Sequence, residues 1–363
     1  IGHKEVIKTS TDLSKALAKY AVIIKQNIPD LHGIEMEDGP IHQLHKAFRE
    51  ALIKDLSVDD FADMVAQTIT YGLFSASATG SKLTGIETLS ECIPSTNPFL
   101  RDLFAEFSKL AGSEPTDLDF DDLAIDELIS MLNHANINAI MADFGTQFKG
   151  GKEDPVIHFY ENFLKAYDKK IKISRGVFYT PQPAVSFIVR SVDESLRLKF
   201  GLVDGLADIS TWEQVIERNP GLIIPKGVSS DQPFVQILDP ATGTGTFLVE
   251  VISLIHMTMI AKWKGEGRSK IEINDLWNHY VPNHLLPRLY GYELLMAPFA
   301  VAHLKIGLKL LETGYRFIDT QRLQIYLTNT LERPSAIAHW IPEFLAQETK
   351  LVNQIKHDIR FTV

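Results

Sequence analysis

Through roughly the first 165 residues, apolar positions recur at three- and four-residue intervals, as in Leu13, Leu17, Tyr20 and Ile24 or Leu100, Leu103, Phe104, Phe107 and Leu110. That spacing places them on one face of successive helices, and strand-like alternation is scarce. Ser10 to Asp12 and Ser57 offer helix starts, and Gly112-Ser-Glu-Pro115 and Gly150-Gly151 interrupt the run. Further on the pattern changes. Short apolar runs at Phe234–Leu238, Arg288–Tyr292 and Gln324–Leu327 alternate with amphipathic stretches beginning near Phe247 and Met296. Strands separated by helices predict a parallel sheet covered on its faces, with any ligand at the carboxyl ends of the strands. The expected architecture is therefore α/β: an all-helical domain over residues 1–150, then a Rossmann-like sheet domain over 151–363.

Charge divides along the same line. The formal net charge is -10, and residues 1–150 carry 12 Lys and Arg against 23 Asp and Glu, leaving the remainder near neutral. An acidic helical region is a poor surface for phosphates, so it reads as a coupler or spacer. The acidic stretch Asp117–Leu123 lacks the central glycine of a calcium loop and reads as a solvated helix entry. One cysteine, Cys92, excludes an internal disulfide and a cysteine zinc cluster, as expected in a reducing, cytoplasmic compartment. His42 and His45 read as a solvated helix face, and no metal site is expected. No run predicts a membrane span, because Pro298, His303 and Lys305 interrupt Leu294–Leu310, and Glu250 and His256 interrupt the helix after Thr246. The chain starts at Ile1 and not at methionine, as expected of a fragment or a processed chain.

The most informative stretch is Asp239-Pro240-Ala241-Thr242-Gly243-Thr244-Gly245-Thr246-Phe247, which joins an apolar strand to an amphipathic helix. Gly243 and Gly245 let the backbone turn tightly and approach a ligand. Asp239 at the strand end would repel a dinucleotide pyrophosphate, and Phe247 stands near the place of the third glycine of the dinucleotide fingerprint. A ligand with an ammonium group suits the carboxylate better, although Asp239 also reads as an N-cap.

The loop resembles motif I of the DNA adenine-N6 methyltransferases. Upstream, the stretch from Gly176 through Tyr179, Thr180 and Pro181 to Glu194 is similar to motif X of the γ-type enzymes, which precedes motif I in that class. Restriction–modification proteins of the single-chain type ISP kind are the nearest match, with type I modification subunits more distant. The resemblance implies S-adenosylmethionine as cofactor. Asp239 would face its ammonium group, the loop from Pro240 to Phe247 would give backbone contacts, and Thr180 would meet its carboxylate at a helix start. Leu289-Tyr-Gly-Tyr-Glu293 resembles motif II, which implies that Glu293 accepts from the ribose hydroxyls, with Leu294 beside the adenine ring. Glu293 lies far from Asp239 in sequence, so residues 265–282 are expected to be an excursion between helix and strand. Asn329 is placed either to hold the adenine amine or to make an ordinary turn.

Adenine methylation also requires an Asn or Asp followed by Pro-Pro and an aromatic, to hold the flipped base. No such tetrapeptide occurs in the 363 residues. It is expected just after Val363, beyond the apolar run Ile359–Val363, so no catalytic residue is assigned and the sheet is read as truncated. The family further implies double-stranded DNA as partner, with nuclease, ATPase and target-recognition domains in the same polypeptide or complex. The competing reading is a non-catalytic cofactor-binding module that couples domains of a larger DNA-processing protein. An oxidoreductase is disfavoured by the missing glycine and by Tyr179-Thr180-Pro181.

Overall fold

The computed structural model describes residues 6–37, 39–78, 80, 82–84, 89–94, 96–111, 123–149, 155–167, 180–317, 321–331 and 343–358. The expected domain boundary near residue 150, the acidic stretch around 117–122, Tyr179 and the run 359–363 lie outside them. The chain divides into two units, one of residues 1–179 with 295–301 and 338–346, the other of 180–294 with 302–337 and 347–363.

The described elements of the first unit are helical: α1 (Ser10–Ile34), α2 (Pro40–Ala51), α3 (Val58–Ala78), α4 (Leu89–Cys92), α5 (Pro98–Ala111), α6 (Ile125–His134), α7 (Ile137–Lys149) and α8 (Pro155–Tyr167). Helix α1 buries Leu13, Leu17, Ala21, Ile24, Ile28 and Leu31, a single stripe of the kind the spacing predicted. It is capped one residue earlier than expected, by Thr9, whose hydroxyl accepts from the Asp12 N–H. Helix α3 is buried at every position from Phe61 to Ser77, which its small and apolar composition allows. Thr68 and Thr70 donate to the carbonyls four residues back. The Asp63 carboxylate, 1% exposed, accepts from Lys25 Nζ at 3.0 Å, Tyr167 Oη at 2.6 Å and Gln67 Nε2 at 2.9 Å. A buried charge is tolerable only when paired and hydrogen-bonded in this way. The same network holds α8, which the sequence reading grouped with the second domain, against α1 and α3.

One sequence expectation needs correction here. His42 and His45 do not form a solvated face: His45 is 8% exposed and its Nε2 lies 2.9 Å from the Leu56 carbonyl. The His32 and His42 rings lie 3.7 Å apart. A histidine at this spacing is solvated or buried according to what packs over it, and α1 and α3 supply that cover.

The second unit contains α9 (Gln182–Phe200), α10 (Trp212–Arg218), β1 (Ile237–Asp239), α11 (Thr246–Gly265), α12 (Lys270–Tyr280), β2 (Leu289–Glu293), β3 (Gln324–Leu327), most of α13 (Met296–Glu312) and most of α14 (Glu343–Asp358). The strands are parallel in the order β1-β2-β3, with Asp239 opposite Gly291 and Glu293 opposite Leu327. The three strands and the α/β alternation were legible in the sequence. The excursion from 265 to 282 is α12, whose start is fixed by a capping box between Ser269 and Glu272. On one sheet face Leu238, Tyr290, Tyr292 and Tyr326 pack with Val352 of α14. On the other, a Cβ at Gly291 would meet Ile325 and Leu248, the latter from α11. Helix α11 also corrects an expectation, since by length and composition it is apolar enough to cross a membrane. One stripe of it is used in the core, with Leu248, Ile252 and Ile255 at most 1% exposed.

Arg288, 1% exposed, braces this unit. It donates to the carbonyls of His284 and Asp208 and to the Tyr280 hydroxyl, which itself donates to the Ala207 carbonyl.

Candidate functional site

The carboxyl ends of the three strands are joined by a continuous set of hydrogen bonds. After β1 the chain turns at Thr242, whose N–H donates to the Tyr292 carbonyl at 2.9 Å and whose hydroxyl donates back to the Asp239 carbonyl at 3.1 Å. The Gly245 N–H then donates to the Thr242 carbonyl at 2.8 Å, and α11 begins with Gly245 as its N-cap. Gly243 and Gly245 have φ of 55° and 83°, a region that L side chains enter only with strain. A Cβ at Gly245 would lie 3.4 Å from that of Ala302, whereas one at Gly243 would have no neighbour within 4 Å. The first glycine faces open space and the second is seated against α13. Thr246, the first residue of α11, accepts from Lys305 Nζ at 2.9 Å, and that lysine is 2% exposed.

Gly291 provides the third close approach. A Cβ there would stand 2.5 Å from the Thr242 hydroxyl oxygen, 2.9 Å from Ile325 and 3.0 Å from Leu248. Gly291→Ala is therefore expected to destabilise the fold by about 1–3 kcal/mol through overpacking. Chemical denaturation of the variant measures this, and an unchanged midpoint would show that Thr242 can move aside freely.

Glu293, at the end of β2, spans the gap to the glycine turn. Its Oε2 accepts from the Gly243 N–H at 2.7 Å and its Oε1 from the Leu294 N–H at 2.9 Å. A carboxylate offers about four acceptor sites, and these two backbone bonds fix its plane. Its carbonyl accepts from Thr328 N–H at 2.7 Å, and the Thr330 hydroxyl donates to the Pro240 carbonyl at 2.6 Å. Asn329, between these, uses its side-chain oxygen to accept from the Leu331 N–H at 3.1 Å, as a turn asparagine does.

Asp239 is the electrostatic centre of this edge. It does not cap α11, so that reading is set aside. Its Oδ1 accepts only the Ala241 N–H, at 3.2 Å, and its Oδ2 is buried without a hydrogen-bond partner among the described residues. Burial pushes its carboxyl above the usual carboxylate range, opposed by the Ala241 N–H. A buried carboxylate oxygen with no donor is costly, and a cationic or N–H-bearing ligand relieves that cost. The Thr244 hydroxyl is likewise buried without a partner among the described residues. Asp239 and Pro240 border an apolar groove of about 420 Å³, whose walls include Ile188 and Val192 of α9, Phe234, and Phe247 and Val251 of α11. That size is in the range of small-molecule sites.

Thr180 and Pro181 are exposed at the start of α9, where Pro181 is the N-cap and makes no side-chain cap bond. Pro240 and Ala241 are also exposed, and Leu294 is half-buried. The structure thus brings together Asp239, the loop from Pro240 to Thr246, Glu293 and the turn at Asn329, and it places Phe247 in the groove wall. Sequence reasoning missed Glu250, Lys305 and Thr330. Each acts across at least 59 residues, and a single sequence carries no signal for such a pairing.

No protein-family model matches the chain, and no curated protein matches it. Solved structures do. The DNA complex of DrdV aligns with 94% of the chain at 21% identity and a TM-score of 0.54. The ATP-dependent type ISP restriction–modification enzyme LlaBIII bound to DNA aligns with 95% at 20% identity and a TM-score of 0.57. A nuclease-deletion mutant of the type ISP enzyme LlaGI with a DNA substrate mimic aligns with 98% at 18% identity and a TM-score of 0.54. At these identities the likeness is one of fold: the chain is similar to a segment making up 27%, 20% and 24% of those longer chains, respectively.

Proposed function

We propose that this chain is the S-adenosylmethionine-binding region of a DNA adenine-N6 methyltransferase within a restriction–modification protein. The observation that carries the reading is the Asp239 oxygen at the end of β1, buried with no partner among the described residues, beside a glycine turn that Glu293 ties to β2. A buried anion at that point suits the ammonium of a methionine and opposes a pyrophosphate. Likeness in fold to DNA-bound type ISP enzymes supports the same reading.

In this reading Asp239 Oδ2 accepts from the ammonium group, and Thr180 with the amides at the start of α9 receives the carboxylate. Pro240, Ala241, Thr242, Gly243, Gly245 and Thr246 line the approach with backbone, and Glu293 accepts from the ribose hydroxyls. Leu294 and Phe247 provide apolar surface, and the side-chain oxygen of Asn329 is the acceptor for the adenine amine. When bound, the cofactor supplies an electrophilic methyl group. The chain's own residues hold it in place and keep the charge of its methionine end balanced.

Calorimetric titration with S-adenosylmethionine and with NAD tests the proposal. Binding of the first and not the second is expected, and the reverse would overturn it. Glu293→Ala is expected to weaken S-adenosylmethionine binding by about 1–3 kcal/mol, because ribose hydroxyls and the Gly243 N–H lose their acceptor. A change of no more than a few tenths would remove Glu293 from the site.

A further inference from the structure

Helix α9 enters the site region without a side-chain cap of its own, and its start is held instead by a residue of α11. Glu250 Oε2 accepts from Gln182 Nε2 at 2.9 Å, and Glu250 Oε1 accepts from the Ser186 hydroxyl at 2.7 Å. Gln182 is the first residue of α9, immediately after Thr180 and Pro181. Glu250 is the fifth residue of α11, five positions after Gly245. One carboxylate therefore links the beginnings of the two helices on which the motif X and glycine-loop segments stand.

The rest of the facing surface cannot do this. Val185 and Val189 on α9 and Leu248 and Val251 on α11 are buried apolar residues, and Ile188 and Val192 open onto the groove. Apolar contact is non-directional and fixes separation better than register. Hydrogen bonds to a charged acceptor are directional and stronger than neutral ones.

We infer that Glu250 is a positioning residue, which sets the start of α9 so that Thr180 and Pro181 meet the carboxylate end of the ligand whose ammonium Asp239 receives. This rests on the S-adenosylmethionine reading above. It assigns Glu250 no contact with the ligand. Its effect is confined to the methionine end, because the nucleoside end is held by Glu293 and the β2–β3 turns, which Glu250 does not touch.

The test compares two ligands on the full chain. In Glu250→Ala, the Kd for S-adenosylmethionine is expected to rise about five- to tenfold, the loss of one or two hydrogen bonds' worth of ordering. The affinity for 5′-methylthioadenosine, which lacks the amino-acid end, is expected to stay within about twofold by the same measure. Glu250→Gln, which can still bond both partners after an amide rotation, is expected to recover most of the affinity. The Gln182→Ala/Ser186→Ala pair should reproduce the loss, with no further loss when Glu250→Ala is added. An equal loss for both ligands would show general loosening and overturn the assignment, as would an unchanged S-adenosylmethionine affinity. Failure of the unaltered chain to bind S-adenosylmethionine would overturn the functional reading itself and this inference with it.

Discussion

Asp239→Asn is expected to weaken S-adenosylmethionine binding by about 1.5–3 kcal/mol, roughly 10- to 150-fold, while the unliganded fold loses no stability near neutral pH. The two effects have one origin. Asp239 keeps a buried oxygen with no donor among the described residues, so its charge is unfavourable in the free protein and favourable once an ammonium group faces it. Burial raises its pKa, so the folded chain binds more protons than the unfolded chain between the unfolded carboxylate value and the raised one. Its contribution to stability therefore falls as pH rises through that window, and the asparagine variant removes this slope. Ligand affinity runs the other way, because the ionised carboxylate binds the cation. For the unaltered chain, affinity should increase as pH rises through the same window, measured below the titration of the ligand's amine. Calorimetry and thermal melts as pH is raised from the ordinary carboxylate value to neutrality test both slopes. A variant that binds as tightly as the parent, or whose affinity keeps the same pH slope, would take Asp239 out of the site.

Residues 1–363 are expected to bind the cofactor yet transfer no methyl group to DNA, and a longer polypeptide carrying an Asn/Asp-Pro-Pro-aromatic turn after Val363 is expected to do so. Methylation of adenine needs two acceptors that orient the amine and an aromatic that stacks on the flipped base. Among the described residues Asp239 and Glu293 end β1 and β2 and Asn329 follows β3, and no Asn/Asp-Pro-Pro-aromatic tetrapeptide occurs in the 363 residues. Incubation with labelled cofactor and mixed-sequence duplex compares the two directly. Robust adenine methylation by residues 1–363 alone would show the catalytic groups to be elsewhere. An inactive longer polypeptide that still binds cofactor would favour the coupling-module reading.

What the sequence by itself determined is what short-range chemistry controls. Glycines at 243 and 245 adopt the positive φ that only a tight turn demands, and the runs around Ile237, Leu289 and Gln324 became parallel strands. The stripe on α1 emerged because 3.6-residue periodicity is written in consecutive residues. Tertiary structure decided which groups face one another. His42 and His45 read as solvated until α1 and α3 were seen to cover them, and α11 met the length and apolarity of a membrane span while serving as a core helix. The Gly243–Glu293 bond spans 50 residues, the Ser186–Glu250 bond 64 and the Thr330–Pro240 bond 90. The isolated oxygen of Asp239 is likewise a property of its surroundings. Turn and helix signals reside in neighbouring residues, whereas burial and pairing depend on which distant segments the folded chain brings into contact, and that is set only when the whole core is packed.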